Sequence, residues 1–310
     1  MRLTFVSRLS VNLGPLTLAN PILTASGTFG YGEEYASFFD LNRLGGLVTK
    51  AVSLTPRVGN PAPRIAETSG GMLNSIGLAN VGVKRFISEK LPFLKQLTCA
   101  VIVNVAGKTV DDFAQVIATI EAAGGVDGYE LNVSCPNVKE GGMAFSADPD
   151  ITAAVTRLAR KETNRCLIVK LSPNVTSISD IAIAAESAGA DALSVINTLV
   201  GMAVDVRTRR PKLATITGGL SGPAIKPIAI AKVFEVVRAV KIPVIGIGGI
   251  MNLDDVLEFL ITGATAVQIG TANFIEPDIA ARLVHELNQY LNLHQISDVN
   301  ELIGSIQVPE

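Results

Sequence analysis

The stretch Pro243-Val244-Ile245-Gly246-Ile247-Gly248-Gly249-Ile250-Met251-Asn252-Leu253-Asp254-Asp255-Val256-Leu257 decides the fold. Its first five residues form an apolar, β-branched run, Pro243–Ile247, of the kind that a parallel strand covered on both faces requires. Gly248 and Gly249 then make a turn, and a helical period begins near Asn252 and continues over Leu253–Thr262. Glycines in such a turn let backbone N–H groups approach an anion, and the helix N-terminus adds a favourable partial charge.

The same strand-then-helix unit recurs in both directions along the chain. Strands are predicted at Pro21–Ala25, Gly46–Lys50, Ala100–Val105, Gly128–Val133, Cys166–Leu171, Ala192–Asn197, Pro243–Ile247 and Ala266–Gly270. Helical periods fall between them at Val110–Ala123, Asp150–Lys161, Ser179–Ala188, Ala224–Ala239, Leu253–Thr262 and Pro277–Leu291. Eight such alternations predict an α/β fold, a (β/α)₈ TIM barrel, as a single domain over residues 1–310. An open doubly wound sheet is disfavoured because the first strand lacks a GxGxxG turn. The glycine-rich segments instead come late, after the seventh and eighth strands, where barrels commonly hold a phosphate. Two connections, Ser53–Leu78 and Gly201–Gly222, are too long for ordinary βα loops and are predicted to extend over the active site.

Composition agrees with this architecture. The chain has 310 residues, 48% hydrophobic, with no Trp and a formal net charge of −2. That balance offers no electrostatic footprint for nucleic acid or an anionic membrane. No apolar run approaches the ~20 residues of a membrane span, and no secretory leader is visible, so a cytoplasmic location is expected. Three dispersed cysteines, Cys99, Cys135 and Cys166, form neither a disulfide framework nor a metal cluster. No metal site is predicted.

Chemistry-bearing residues gather at predicted strand ends. Ile245–Ile250, Gln268–Thr271 and the glycine-rich turn Gly218–Gly222 are three phosphate-type turns, suited to a monoester such as FMN or a sugar phosphate. At the other strand tips stand Ser26, Lys50, Asn104, Asn132, Lys170 and Asn197. One lysine at a strand tip snorkels to solvent readily. Two lysines with three asparagines on one face instead supply positive charge and paired donor–acceptor groups for a planar, amide-edged ring. Cys135, in Asn132-Val133-Ser134-Cys135-Pro136-Asn137, sits on a turn forced by Pro136 and has polar neighbours, unlike Cys99 and Cys166 within apolar runs. His285 and His294 lie in the C-terminal helical region, away from the strand tips. Cys135 is therefore the candidate general base.

These motifs resemble class 1 dihydroorotate dehydrogenases across essentially the whole chain. The resemblance rests on Asn132–Asn137 (NVSCPN), Asn74–Leu78 (NSIGL) and Ala25–Gly30 (ASGTFG). Val138–Gly142 and Gly218–Pro223 are more similar to the class 1B form, which works with NAD⁺, than to the fumarate-using class 1A form. The resemblance implies oxidation of dihydroorotate to orotate in pyrimidine biosynthesis, with FMN as cofactor and Cys135 as base. It implies flavin contacts from Ser26, Lys50, Ala51, Asn104, Asn132, Lys170, Ile196, Gly222, Gly248, Gly249, Gly270 and Thr271. Substrate contacts would come from Lys50, Asn74, Ser75, Ile76, Gly77, Leu78, Asn132, Asn197 and Thr198. It further implies a partner subunit carrying FAD and a [2Fe–2S] cluster, joined to a homodimer of this chain in a heterotetramer. The segment Ser53–Leu78, or that carrying Cys135, is expected to act as a lid. Competing expectations are a class 1A enzyme, another pyrimidine-reducing flavin barrel, and a non-redox phosphate-binding barrel.

Overall fold

The computed structural model describes residues 7–133 and 148–309. Eight parallel strands close into a barrel: β1 Ile22–Thr24, β2 Gly46–Val48, β3 Ala100–Val105, β4 Gly128–Leu131, β5 Cys166–Leu171, β6 Ala192–Val195, β7 Val244–Ile247 and β8 Ala266–Ile269. Each pairs with its sequence neighbours, and β8 closes onto β1. This is the (β/α)₈ architecture, and each predicted strand overlaps an observed one.

The strands are short, continuous apolar runs because both faces are covered. Val101 through Val103 and Leu167 through Val169 are all at most 2% exposed. Helices enclose the barrel at Val110–Ala123, Pro149–Glu162, Ile178–Ser187, Lys226–Val237, Leu253–Thr262 and Ile279–Leu293. Four of them begin at side-chain caps, Thr109, Asp148, Ser177 and Asn252, each accepting from backbone N–H groups of the first turn. Between β1 and β2 the chain makes two 3₁₀ turns, Glu33–Tyr35 and Leu41–Arg43, rather than an α-helix. An antiparallel hairpin, Val11–Leu13 with Leu16–Leu18, buries Leu13 and Leu18, and the Cys166 thiol donates to the Leu13 carbonyl at 3.2 Å. Cys166 begins β5, so this hairpin lies at the end of the barrel opposite the strand tips.

The long connections are not loops throughout. Leu199–Met202, Thr217–Ser221, Gly71–Asn74 and Ile65–Thr68 pair in that order into a four-stranded antiparallel sheet. The glycine-rich segment Gly218–Gly222, expected as a turn, is thus mostly a strand. Its glycines serve close packing: a Cβ at Gly219 would collide with the Thr198 hydroxyl. Both segments branch from the carboxyl ends of barrel strands, so the sheet stands at that end.

Candidate active site at the barrel mouth

Pleat and register build the floor of the site. Asn104 pairs with Glu130, and Lys170 pairs with Ser194, so these four side chains project into the barrel. Gln268 reaches the same point from β8, across the barrel from β4. Glu130 is fully buried and accepts on both oxygens. Asn104 Nδ2 donates to its Oε1 at 2.7 Å, with Lys170 Nζ 3.5 Å from the same oxygen. Ser194 Oγ and Gln268 Nε2 donate to Oε2 at 2.9 and 2.8 Å. Glu130 and Ser194 were not among the sequence-predicted site residues, and Gln268 was read only as the start of a phosphate-type segment.

A carboxylate with only donors around it fixes the sense of the amides beyond it. Asn104 turns its NH₂ to Glu130, so its carbonyl faces Asn132, whose Nδ2 donates at 3.3 Å. Asn197 Nδ2 stands 3.5 Å from Asn132 Oδ1, and Asn197 Oδ1 accepts from the Thr198 N–H at 2.7 Å. The three predicted asparagines are thereby brought into one row, with Thr198 at its end.

The remaining predicted residues surround this row. Ser26 Oγ lies 3.4 Å from Lys170 Nζ, and both residues are buried. Lys50 follows β2 and is held by its backbone N–H, which donates to Gly30 O at 2.6 Å. Its side chain is half-buried and, among the described residues, forms no salt bridge. Ala51 and Ile196 are buried beside these strand ends. Asn74 Nδ2 donates to Gly219 O at 3.3 Å, which ties the predicted substrate loop to the overlying sheet. Ser75 is fully buried and its hydroxyl meets no partner among the described residues. Gly77 and Leu78 are both at positive φ, 73° and 56°, which turns the chain sharply after Ile76. Cys135, with the rest of 134–147, lies outside the described residues.

The phosphate-type segments also converge. Thr271 Oγ1 donates to Ser221 Oγ at 2.7 Å, and a Cβ on Gly249 would sit 2.9 Å from the Gly222 carbonyl. Among the described residues, no acceptor engages the backbone N–H of Gly248, Gly249 or Thr271. Partly exposed and unpaired, these groups match an anion. Behind them Lys226 Nζ bonds Asp255 Oδ1 at 2.6 Å and Glu258 Oε1 at 3.0 Å. The hydrogen bond to Asp255 raises the Lys226 ammonium above its ordinary pKa, so this lysine is committed to joining two helices.

The thiols of Cys99 and Cys166 are pushed up to about 12 by burial, as inert core cysteines are. Among the described residues, no group of three or more His, Cys, Asp or Glu side chains is arranged to hold a metal. No described helix is long and apolar enough to cross a membrane.

The family model for dihydroorotate dehydrogenase matches residues 8–291. The chain belongs to the dihydroorotate dehydrogenase family. It is 54% identical over 300 residues to a protein of Geobacter sp. strain M21, covering 97% of this chain and 98% of that one. A relative from Geobacter metallireducens has the same identity and coverage. Both are named dihydroorotate dehydrogenase B (NAD(+)), catalytic subunit. A solved structure of DHODH from Eimeria tenella in complex with ferulenol superposes with a TM-score of 0.80 at 25% identity. That match covers 98% of this chain and 90% of the other. Family membership thus agrees with the fold and with the motifs from which the site was predicted.

Proposed function

We propose that the chain is a single FMN-binding domain that oxidises dihydroorotate to orotate in pyrimidine biosynthesis. One observation carries the reading: Asn104, Asn132 and Asn197 form a single amide row at a mouth that also holds Lys50 and Lys170. Amides and lysines in that arrangement suit an anionic pyrimidine and a flavin. The N–H groups of Gly248, Gly249 and Thr271, which meet no acceptor among the described residues, suit the FMN phosphate, with Gly222 and Gly270 alongside. Ser26, Lys50, Ala51, Asn104, Asn132, Lys170 and Ile196 would line the ring and ribityl chain.

Bound there, FMN supplies the two-electron acceptor for the hydride that leaves C6 of dihydroorotate. Cys135 takes the proton from C5. Lys50 holds the substrate carboxylate, and the asparagine row, with Asn74 to Leu78 and Thr198, pairs with the ring amides. Leaving those amide groups unpaired in a buried site costs binding energy, which is the basis of selectivity.

The names of the relatives support a second subunit that returns the electrons to NAD⁺. By resemblance it carries FAD and a [2Fe–2S] cluster, and a homodimer of this chain forms the core of a heterotetramer in the cytoplasm.

The test is an anaerobic titration. Purified chain should be yellow, and dihydroorotate should bleach it with one orotate formed per flavin. A colourless chain, or flavin that dihydroorotate does not reduce, overturns the reading. Rapid turnover with fumarate by the chain alone would replace the NAD⁺-linked form with the fumarate-linked one.

A further inference from the structure

Glu130 stands out among the residues that the proposed reaction does not use. It is fully buried, and its four hydrogen-bonding neighbours, Asn104, Lys170, Ser194 and Gln268, come from four different strands. All four are donors, which is the environment of an ionised carboxylate. Only Lys170 carries a charge, and its ammonium lies 3.5 Å away with 7% of the side chain exposed. The two strand-tip lysines therefore differ: Lys170 is compensated within the barrel and, among the described residues, Lys50 is not.

We propose that Glu130 is a positioning residue whose charge offsets that of Lys170, leaving Lys50 as the net cation among the described residues of the mouth and holding the potential of the bound flavin down. The inference rests on the FMN reading above. A cation beside a flavin favours the electron-rich reduced form and raises the midpoint potential. An anion a few ångströms behind that cation cancels much of its field at the ring, most effectively where water is excluded.

Glu130→Gln removes the charge and keeps the shape. The new amide can present its oxygen to Asn104 and its NH₂ to Gln268, whose buried Oε1 has no partner among the described residues and can turn to accept. The amide row thus keeps its sense, and the charge is the variable that changes.

The measurement is the flavin midpoint potential of the holoprotein, by equilibrium reduction against redox dyes. E130Q should retain FMN and show a more positive potential than the native chain. K170M should show a more negative one, and K170M/E130Q should return towards native. A loss of packing alone would not give shifts of opposite sign. E130Q with full FMN and a potential equal to or below native overturns the inference and leaves the functional reading standing. If E130Q is recovered without FMN, K170M and K170M/E130Q decide. A more positive potential in the double variant supports the inference, and equal potentials overturn it. A native chain that binds no FMN overturns the functional reading, and this inference with it.

Discussion

Lys50 and Lys170 stand at the same mouth in opposite electrostatic circumstances: Lys170 lies 3.5 Å from the buried Glu130 carboxylate, while Lys50 forms no salt bridge among the described residues. A half-buried ammonium without a carboxylate is a ready partner for an anionic ligand. Hydrogen bonds to charged groups contribute about 1.5–3 kcal/mol. Lys50→Met should therefore weaken orotate binding roughly 10- to 100-fold, at about 1.4 kcal/mol per tenfold. Orotate titrated against the visible spectrum of the flavin reads this directly. Native affinity in the variant would show that Lys50 does not hold the carboxylate.

Gly249 has φ +76°, and a Cβ there would lie 2.7 Å from Lys226 Cβ and 2.9 Å from Gly222 O. Lys226 cannot yield easily, because it is fixed to Asp255 and Glu258. Gly249→Ala should displace the turn that carries the unpaired N–H groups and lower the FMN-to-protein ratio. Gly124→Ala is the control: φ is +63°, but nothing lies within 4 Å of its Cβ. It shares the backbone strain without the crowding and should retain FMN. Equal FMN content in the two variants would remove the Gly249 turn from the phosphate site.

The barrel was legible because its strands are apolar on both faces. Ala100–Val105 and Cys166–Leu171 appear in the sequence with the bounds they have in the structure. The overlying sheet was not legible. Gly71–Asn74 and Thr217–Ser221 are short and rich in glycine, so turn chemistry masks their pairing. Strand tips pointed to Lys50, Asn104, Asn132 and Asn197, since barrel chemistry gathers there. Glu130 is level with Asn104 and one layer below Asn132, within a strand whose every residue is buried. A signal was present: Glu130 and Asn132 are both polar at a spacing of two. A polar alternation inside an apolar strand marks the inward face, and a buried charge there needs a partner on another strand.

Cys135→Ser should retain bound FMN and slow its reduction by dihydroorotate about 10²- to 10⁴-fold, the usual worth of general-base assistance. A hydroxyl holds the position of the thiol but is a far weaker acid at neutral pH, so the proton at C5 lacks an acceptor. Stopped-flow bleaching of the flavin separates this step from reoxidation. Reduction at the native rate would place the base elsewhere.

Cys99 and Cys166 should behave in the opposite way. They are 6% and 1% exposed, and burial pushes both thiols from 9.0 up to about 12. In the native protein at pH 8, alkylation should therefore spare them and reach Cys135. The same shift has a stability consequence whose sign follows from proton binding. Between about pH 9 and 12 the unfolded chain has lost these protons while the folded chain keeps them, so the unfolded state is favoured as pH rises. The contribution is fully present below pH 9 and fades across that window, with a slope of up to about 1.4 kcal/mol per pH unit for each thiol. Cys166→Ala should be somewhat less stable at pH 7, through the small cavity it leaves. Its loss of stability from pH 9 to 11 should be shallower than that of the native chain in denaturant melts. Parallel alkaline limbs would show that Cys166 ionises as readily in the folded barrel as outside it.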